Sequence, residues 1–274
     1  MTLRTEPTLV MTPVSVRPGE RQVALEAAVA VEVDGIGYAV MMMTPADLGA
    51  FAVGFMLTER LADTADDVVG VEPFEAEAGW IVRITLAERC RGRIHDRVRH
   101  RTSDTGCGLC GIENLEQLRR SVSHTRPRPE ADASALFRAL SALRDHQPLN
   151  AATGAVHAAA ACSREGAIIA TYEDVGRHNA LDKLVGATAR DGISGFVLVT
   201  SRVSFEMVDK ALVAGAPMLV GVSAPTTLAI EHARTHGLTL VALARADAML
   251  VLVDPWETFG LVAKEGLEPP TPGL

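Results

Sequence analysis

"GFVLVTSRVSFEMVDKALVAGAPMLVGVSAPTT", Gly195 to Thr227, changes rhythm twice within 33 residues. Phe196 to Val199 is a short unbroken apolar run, the pattern of a strand buried on both faces. A helix is predicted from Ser204. Gly215 and Pro217 break the apolar stretch Ala211–Val222, so it reads as a helix end followed by the strand "PMLVGV" and not as a membrane span.

The same alternation continues on both sides. Upstream, "VHAAAAC" and "AIIATY" flank the turn "SREG" as a hairpin, and a helix follows from about Arg177. Downstream, a helix from about Pro225 is ended by Gly237, and "LTLVAL" is the next strand. Short apolar strands alternating with helices predict a mainly parallel, three-layer α/β sheet.

The first half has a different period. From Val23, apolar residues alternate at Leu25, Ala27, Val29, Val31 and Val33, the signature of a half-buried strand. Asp34-Gly35 supplies a hairpin turn and "YAVMMM" returns. Thr44, Pro45 and Asp47 read as a helix start, with Leu48, Phe51, Phe55 and Leu61 on its buried face. Trp80, Val82, Ile84 and Leu86 alternate as another strand, giving a small ββαβ-like α+β unit. Glu88 to Thr105 shows no apolar period and is expected as a loop. "HTRPRPEAD" reads as a linker, followed by an amphipathic helix carrying Leu136, Leu140 and Leu143. The expected organisation is a tail over 1–21, the α+β domain over 22–104, a CxxC loop and helix over 105–123, the α/β domain over 124–254, and a proline-rich tail over 255–274.

Bulk properties narrow the function. A chain of 274 residues, 48% hydrophobic, can bury a sizeable core. A net charge of −8 disfavours general nucleic-acid or anionic-membrane binding. Four cysteines do not make a secreted disulfide scaffold, and the N-terminus shows no apolar signal region, so a cytoplasmic protein is expected.

Chemistry concentrates in "TGCGLCGIENLEQL", Thr105 to Leu118, where Cys107 and Cys110 are fenced by three glycines. A structural zinc site wants a second close ligand pair, and no second CxxC exists; Cys90, His95 and His100 are irregularly spaced. No structural metal is therefore expected. A helix N-terminus and nearby arginines favour a thiolate, as dithiol exchange requires, but a polar stretch and not an apolar strand precedes the motif. A pliant, glycine-rich segment also suits a thiolate that carries sulfur as a persulfide. Composition alone leaves redox exchange and sulfur carriage open, with a zinc-stapled binding module as a third reading.

"TGCGLCGIENL" resembles the Cys-Gly-x-Cys-Gly signature of the FdhD family, the formate dehydrogenase accessory sulfurtransferases. "PADLGAFAVGFMLTE", "TGAVHAAA", "EDVGRHNALDKLVG", "SRVSFEMVDKA" and "SAPTTLAIEHA" resemble further blocks of that family, in the same order. The resemblance implies a cytidine-deaminase-like α/β domain and a homodimer. It also implies sulfur taken from a cysteine desulfurase as a persulfide on Cys107, with Cys110 as its partner. The sulfur would pass to a bound molybdenum cofactor bearing two pyranopterin guanine dinucleotides, and the loaded cofactor to a formate dehydrogenase. Deaminase chemistry is not expected, because His178 is followed by Asn179 and Ala180 instead of x-Glu, and the next turn, Ser201–Ser204, has no cysteine.

In such a sheet, ligands gather at the carboxyl ends of strands, where helix N-termini offer free N–H groups to anions. "EDVGRHN", "TSRVS" and "SAPTT" occupy those places. The candidate cofactor-binding residues are Asp174, Arg177, His178, Ser201, Arg202, Ser223 and Thr226; His157 reads from the residues alone as a hydrogen-bonded core histidine, and the resemblance implies a pocket-lining place for it, as it does a nucleotide-contacting turn at Leu243 and Arg245. Asp174, Ser204 and Ser223 read equally well as caps; Arg177, His178 and Arg202 do not. "LARADA", Leu243 to Ala248, departs from the family's aromatic and glycine–arginine turn, keeping only Arg245 of its basic character. Arg89, Arg91, Arg93, Arg97, Arg99 and Arg101 crowd the segment before Cys107, and are expected to steer an acidic partner or phosphates.

Overall fold

The computed structural model describes residues 2–101 and 127–260. Residues 1–21, expected as a tail, are instead mostly a β-ribbon. Strands β1 (Leu3–Thr12) and β2 (Ser15–Ala24) pair antiparallel, Leu3 opposite Ala24 and Thr12 opposite Ser15. Among the described residues neither strand has a third neighbour, so Pro7 and Pro18 are tolerated, as prolines are on strand edges. Most of the ribbon is exposed, Val14 at its turn by 94%. With no buried face there was no periodicity to read.

Strands β3 (Ala27–Val33) and β4 (Ile36–Met43) form the expected hairpin. Its turn places Asp34 and Gly35 at φ of 48° and 79°, the left-handed pair that a tight hairpin needs. Helix α1 (Leu48–Thr58) begins later than Thr44 suggested. Asp47 stands at its N-cap without a side-chain cap bond, and Thr44 is committed elsewhere. Strand β5 (Val68–Ala76), which the sequence reading missed, pairs with β6 (Gly79–Leu86), and the sheet runs β4-β3-β6-β5. The stretch from Glu88, expected as a loop, is helix α2 (Glu88–Arg101). Cys90 and Ile94, one turn apart, are fully buried, a stripe too narrow to stand out among arginines.

Helix α3 (Ala133–Ala142) is capped by Asp132, whose carboxylate accepts from Ala135 N at 2.8 Å. After α4 (Pro148–Thr153), the predicted hairpin is β7 (His157–Cys162) with β8 (Ile168–Asp174). The alternation then runs α5 (Arg177–Thr188), β9 (Phe196–Val199), α6 (Phe205–Val213), β10 (Met218–Gly221), α7 (Thr227–Thr235), β11 (Thr239–Ala242) and β12 (Leu250–Val253). These six strands form one sheet in the order β12-β11-β10-β9-β7-β8. Strands β9, β10 and β11 are parallel; β7 opposes both its neighbours, and β12 opposes β11. The carboxyl ends of β8 to β11 therefore share one edge with the start of β7.

Leu136, Ala139 and Leu143 cover one face of the sheet, against Phe196, Leu198, Met218 and Val220. Leu181 and Leu184 of α5, Met207 and Leu212 of α6 and Ala229 and Ala233 of α7 belong to the core on the other face, completing three layers. That second core continues through Phe51 and Phe55 to Val31, Val82 and Ile84, so both sheets share it. The junction is the crossing of α1 and α5. A Cβ on Gly54 would lie 1.8 Å from Asp182 O, and one on Gly186 1.9 Å from Ala50 O. Only hydrogen in place of a side chain lets the two backbones approach so closely.

Candidate functional site

His157, the first residue of β7, pairs with Asp174, the last of β8. Around this pair the sheet edge collects the turns that start α5, α6 and α7, together with the turn after β11.

The start of α5 is open. Gly176 occupies its N-cap and contributes no side-chain cap, while Arg177 and His178 form its first turn. The next helix is open too. Ser204 is the N-cap of α6 but makes no cap bond, and among the described residues its buried Oγ finds no hydrogen-bond partner, nor does Nε of Arg177. Capping, the plainer expectation for Ser204, is not what this hydroxyl does. Two helix N-termini thus present unsatisfied N–H groups and the positive ends of their dipoles at one edge. Cations reinforce them. The His157 imidazole is held below its usual value by burial first, then by the charges of Arg177, Arg202 and His178. A half-buried imidazole lowered by burial and by the charges of its neighbours marks a cationic surface.

Glu206, in the first turn of α6, was not foreseen. Its Oε2 lies 2.9 Å from His178 Nε2, off the line of an ideal hydrogen bond, and the His178 contact holds the Glu206 carboxyl below its ordinary value. An acidic residue in a helix's first turn is common enough that sequence offered no reason to single it out.

Other candidates fall elsewhere. Asp174 is fully buried and its oxygens are committed. Oδ1 accepts from Gly176 N (2.7 Å) and Asn179 Nδ2 (3.2 Å); Oδ2 accepts from Thr44 N (3.1 Å) and pairs with Lys183 Nζ at 2.7 Å. The expectation that Asp174 contacts a ligand is therefore corrected: it organises the turn from inside. Ser201 is also buried and donates to Arg202 O at 3.1 Å. Thr226 accepts from Ala229 N at 3.3 Å, so here capping is realised. Ser223 is half-buried, and its carbonyl accepts from Leu243 N at 3.2 Å. Leu243 adopts φ 52°, and exposed Arg245 folds back to donate to the carbonyls of Val222 and Ala244. The edge thus unites His157, Arg177, His178, Arg202 and Ser204; the "LARADA" turn is bonded to the backbone of Gly221–Ser223 as well as to its own.

Cys107 and Cys110 lie outside the described residues. The other two cysteines are interior: burial pushes the Cys162 thiol up to about 12 and that of Cys90 upward as well. Part of the arginine cluster is structural. Arg89 makes two bonds to Asp67 (2.7 and 2.9 Å), Arg93 two to Asp63 (2.8 and 2.6 Å), and Arg91 donates to Leu86 O at 3.2 Å. Steering charge cannot come from Arg89 and Arg93, which their acids neutralise. Ligand atoms of Asp63, Asp67 and Cys90 lie within 4.8 Å of one another, but these same arginines and the amides of Asp63 and Thr64 occupy the carboxylates. Among the described residues, no helix is long and apolar enough to cross a membrane.

An α/β sheet whose carboxyl edge gathers cations and open helix N-termini has the architecture of proteins that bind phosphate-bearing ligands. Residues 24–258 match the model of the FdhD/NarQ family, and the chain belongs to that family. The sulfur carrier protein FdhD of Variovorax paradoxus is 44% identical over 244 residues, 88% of each chain. That of Bordetella parapertussis is 46% identical over 231 residues, 81% of this chain and 82% of its own. The fold is shared with the crystal structure of a protein described as a formate dehydrogenase accessory protein, from Desulfotalea psychrophila. The TM-score is 0.72 at 21% identity, covering 93% of this chain and 99% of that one.

Proposed function

We propose that this chain is a sulfur carrier that serves a formate dehydrogenase. Cys107 thiolate attacks the outer sulfur of a cysteine desulfurase persulfide; a new S–S bond forms on Cys107 and the desulfurase leaves as its thiolate. Cys110 thiolate then attacks Cys107 Sγ, closing a Cys107–Cys110 disulfide that a cellular dithiol later reduces, and the outer sulfur leaves as hydrosulfide to a molybdenum cofactor, the substrate, whose dinucleotide phosphates lie on the cationic edge. Arg177 and Arg202 supply charge, and the N-termini of α5 and α6 supply N–H donors. His157 and the His178–Glu206 pair orient the ligand's polar groups. Cys110 assists the transfer. A homodimer, a cytoplasmic location and a cytidine-deaminase-like plan for the α/β half belong to the same proposal.

The observation that carries the ligand half is the pair of uncapped helix starts beside buried, unpartnered Arg177 Nε and Ser204 Oγ. The sulfur half rests on the Cys107/Cys110 motif in a chain of this family, whose relatives are named sulfur carriers. Incubation with a desulfurase and cysteine, followed by mass spectrometry, tests it: one reducible sulfur atom on Cys107 is expected. A Cys107–Cys110 disulfide cycling without added sulfur would favour dithiol exchange, and stoichiometric zinc a binding module. Co-expressed with a formate dehydrogenase, Cys107→Ala should abolish enzyme activity without lowering the amount of enzyme.

A further inference from the structure

Lys183 lies in the middle of α5 and is fully buried, side chain included. A lysine taken wholly out of water needs a reason, because its charge costs several kcal/mol there, on the order of what a good ion pair returns. Its Nζ spans three attachments: Asp174 Oδ2 at 2.7 Å, Thr44 O at 3.0 Å and Glu173 O at 3.4 Å. Thr44 completes the arrangement, donating its N–H to Asp174 (3.1 Å) and accepting Val175 N on its Oγ1 (3.2 Å). Asn179 adds a bond to Met42 O at 3.0 Å. Every backbone link in this set touches the turn Glu173–Gly176 or the end of β4, and none faces the cationic edge directly.

We propose that Lys183 is a positioning residue: with Thr44 and Asp174 it clamps the turn before α5, so that Arg177, His178 and the open helix start converge on one polyanionic ligand. The inference rests on reading the sheet edge as the ligand site. It explains two facts together. Asp174 places a carboxylate directly behind a site for anions, which would repel them; Lys183 cancels that charge from the interior. Gly176 leaves α5 without a side-chain cap, so the turn's geometry has to be held from behind. The clamp also ties the site to the end of β4, making the first sheet part of the site's scaffold.

The test uses the full chain and inorganic pyrophosphate as probe, with affinity read by calorimetry and the His157 titration by imidazole NMR. Arg177→Gln examines the reading of the edge: unchanged affinity there would overturn that reading, whatever Lys183 does. If Arg177→Gln weakens binding, Lys183→Met should weaken it about tenfold, the loss expected when charged hydrogen bonds are misaligned. It should also raise the His157 titration towards that of free imidazole, as Arg177 moves away and Asp174 loses its counter-charge. The groups that bear on His157 are Arg177, Arg202 and His178, with Glu206 beside His178 and Asp174, paired with Lys183, as its cross-strand partner. A role confined to stability would lower the melting temperature and leave that titration in place. Thr44→Val, which removes one acceptor and keeps the ion pair, serves if Lys183→Met does not fold; it should weaken binding about threefold and move His157 the same way. A folded Lys183→Met or Thr44→Val that binds pyrophosphate as the wild type does, with His157 unmoved, would sink the clamp and leave the edge intact.

Discussion

At Asp209 two partners outweigh burial. Arg60 grips both carboxylate oxygens, at 2.8 and 2.9 Å, and His232 Nε2 lies 3.2 Å away. Burial alone would raise this acid; the His232 and Arg60 contacts hold it down at about 2, against the ordinary 3.8. A folded value below the unfolded one stabilises above the unfolded value and is lost as pH falls towards the folded one. Asp209 therefore contributes about 2 kcal/mol at neutral pH, fading between about pH 4 and pH 2. Asp209→Asn should lower the urea midpoint clearly at pH 7, and the gap from wild type should narrow below pH 4; a gap independent of pH would contradict the assignment. The same scale applies to thiols. Cys162, pushed to about 12, and Cys90, also raised, should resist iodoacetamide in the native protein and react only on unfolding, as peptide mapping would show. At this scale the sequence singled out Arg177, His178 and Arg202 because a cap does not need them, and the fold brings all three near His157. It was silent where partners lie far along the chain: Asp174 finds Lys183 and Thr44, and Glu206 finds His178, only through the fold.

The elements follow periodicity where one face is buried, and escape it where none is or where the stripe is thin. Strand β6 and helices α3, α5 and α6 were legible because their apolar residues recur at the spacing of their kind. Helix α2 was not, since arginines crowd the sequence between and around the buried Cys90 and Ile94, and their bonds to Asp63 and Asp67 form only in the fold. The crossing of α1 and α5 was equally invisible, because a glycine in a helix reads as a weakness until the neighbouring backbone is known. Gly186→Ala tests this packing. In an isolated helix the change would stabilise; here the new methyl would meet Ala50 O and Gly54 N at 1.9 and 2.6 Å, and a loss of about 3 kcal/mol is expected. Chemical denaturation gives the sign directly. A neutral or stabilising result would mean that the helices can part without consequence.

Across the whole molecule, the division into an α+β half and an α/β half describes the sheets but not the packing. Phe51 and Phe55 of α1 face α5 and the first sheet within one continuous core, and the Lys183 and Lys210 pairs reach across the same junction. Near-UV and far-UV signals should therefore unfold together in denaturant, because neither half retains a complete core alone. The β1–β2 ribbon stands apart from this unit. It precedes the span matched by the family model, its side chains are mostly exposed, and Arg21 Nη2 to Thr153 O, at 2.8 Å, is the side-chain bond that ties it to α4. Removing residues 2–24 should then cost only about 1 kcal/mol, the worth of one such bond, and should leave the single transition intact. The denaturant slope should fall only slightly, since a ribbon that buries little exposes little on unfolding. A large drop in the midpoint, or a split transition, would instead place the ribbon among the parts that complete the core.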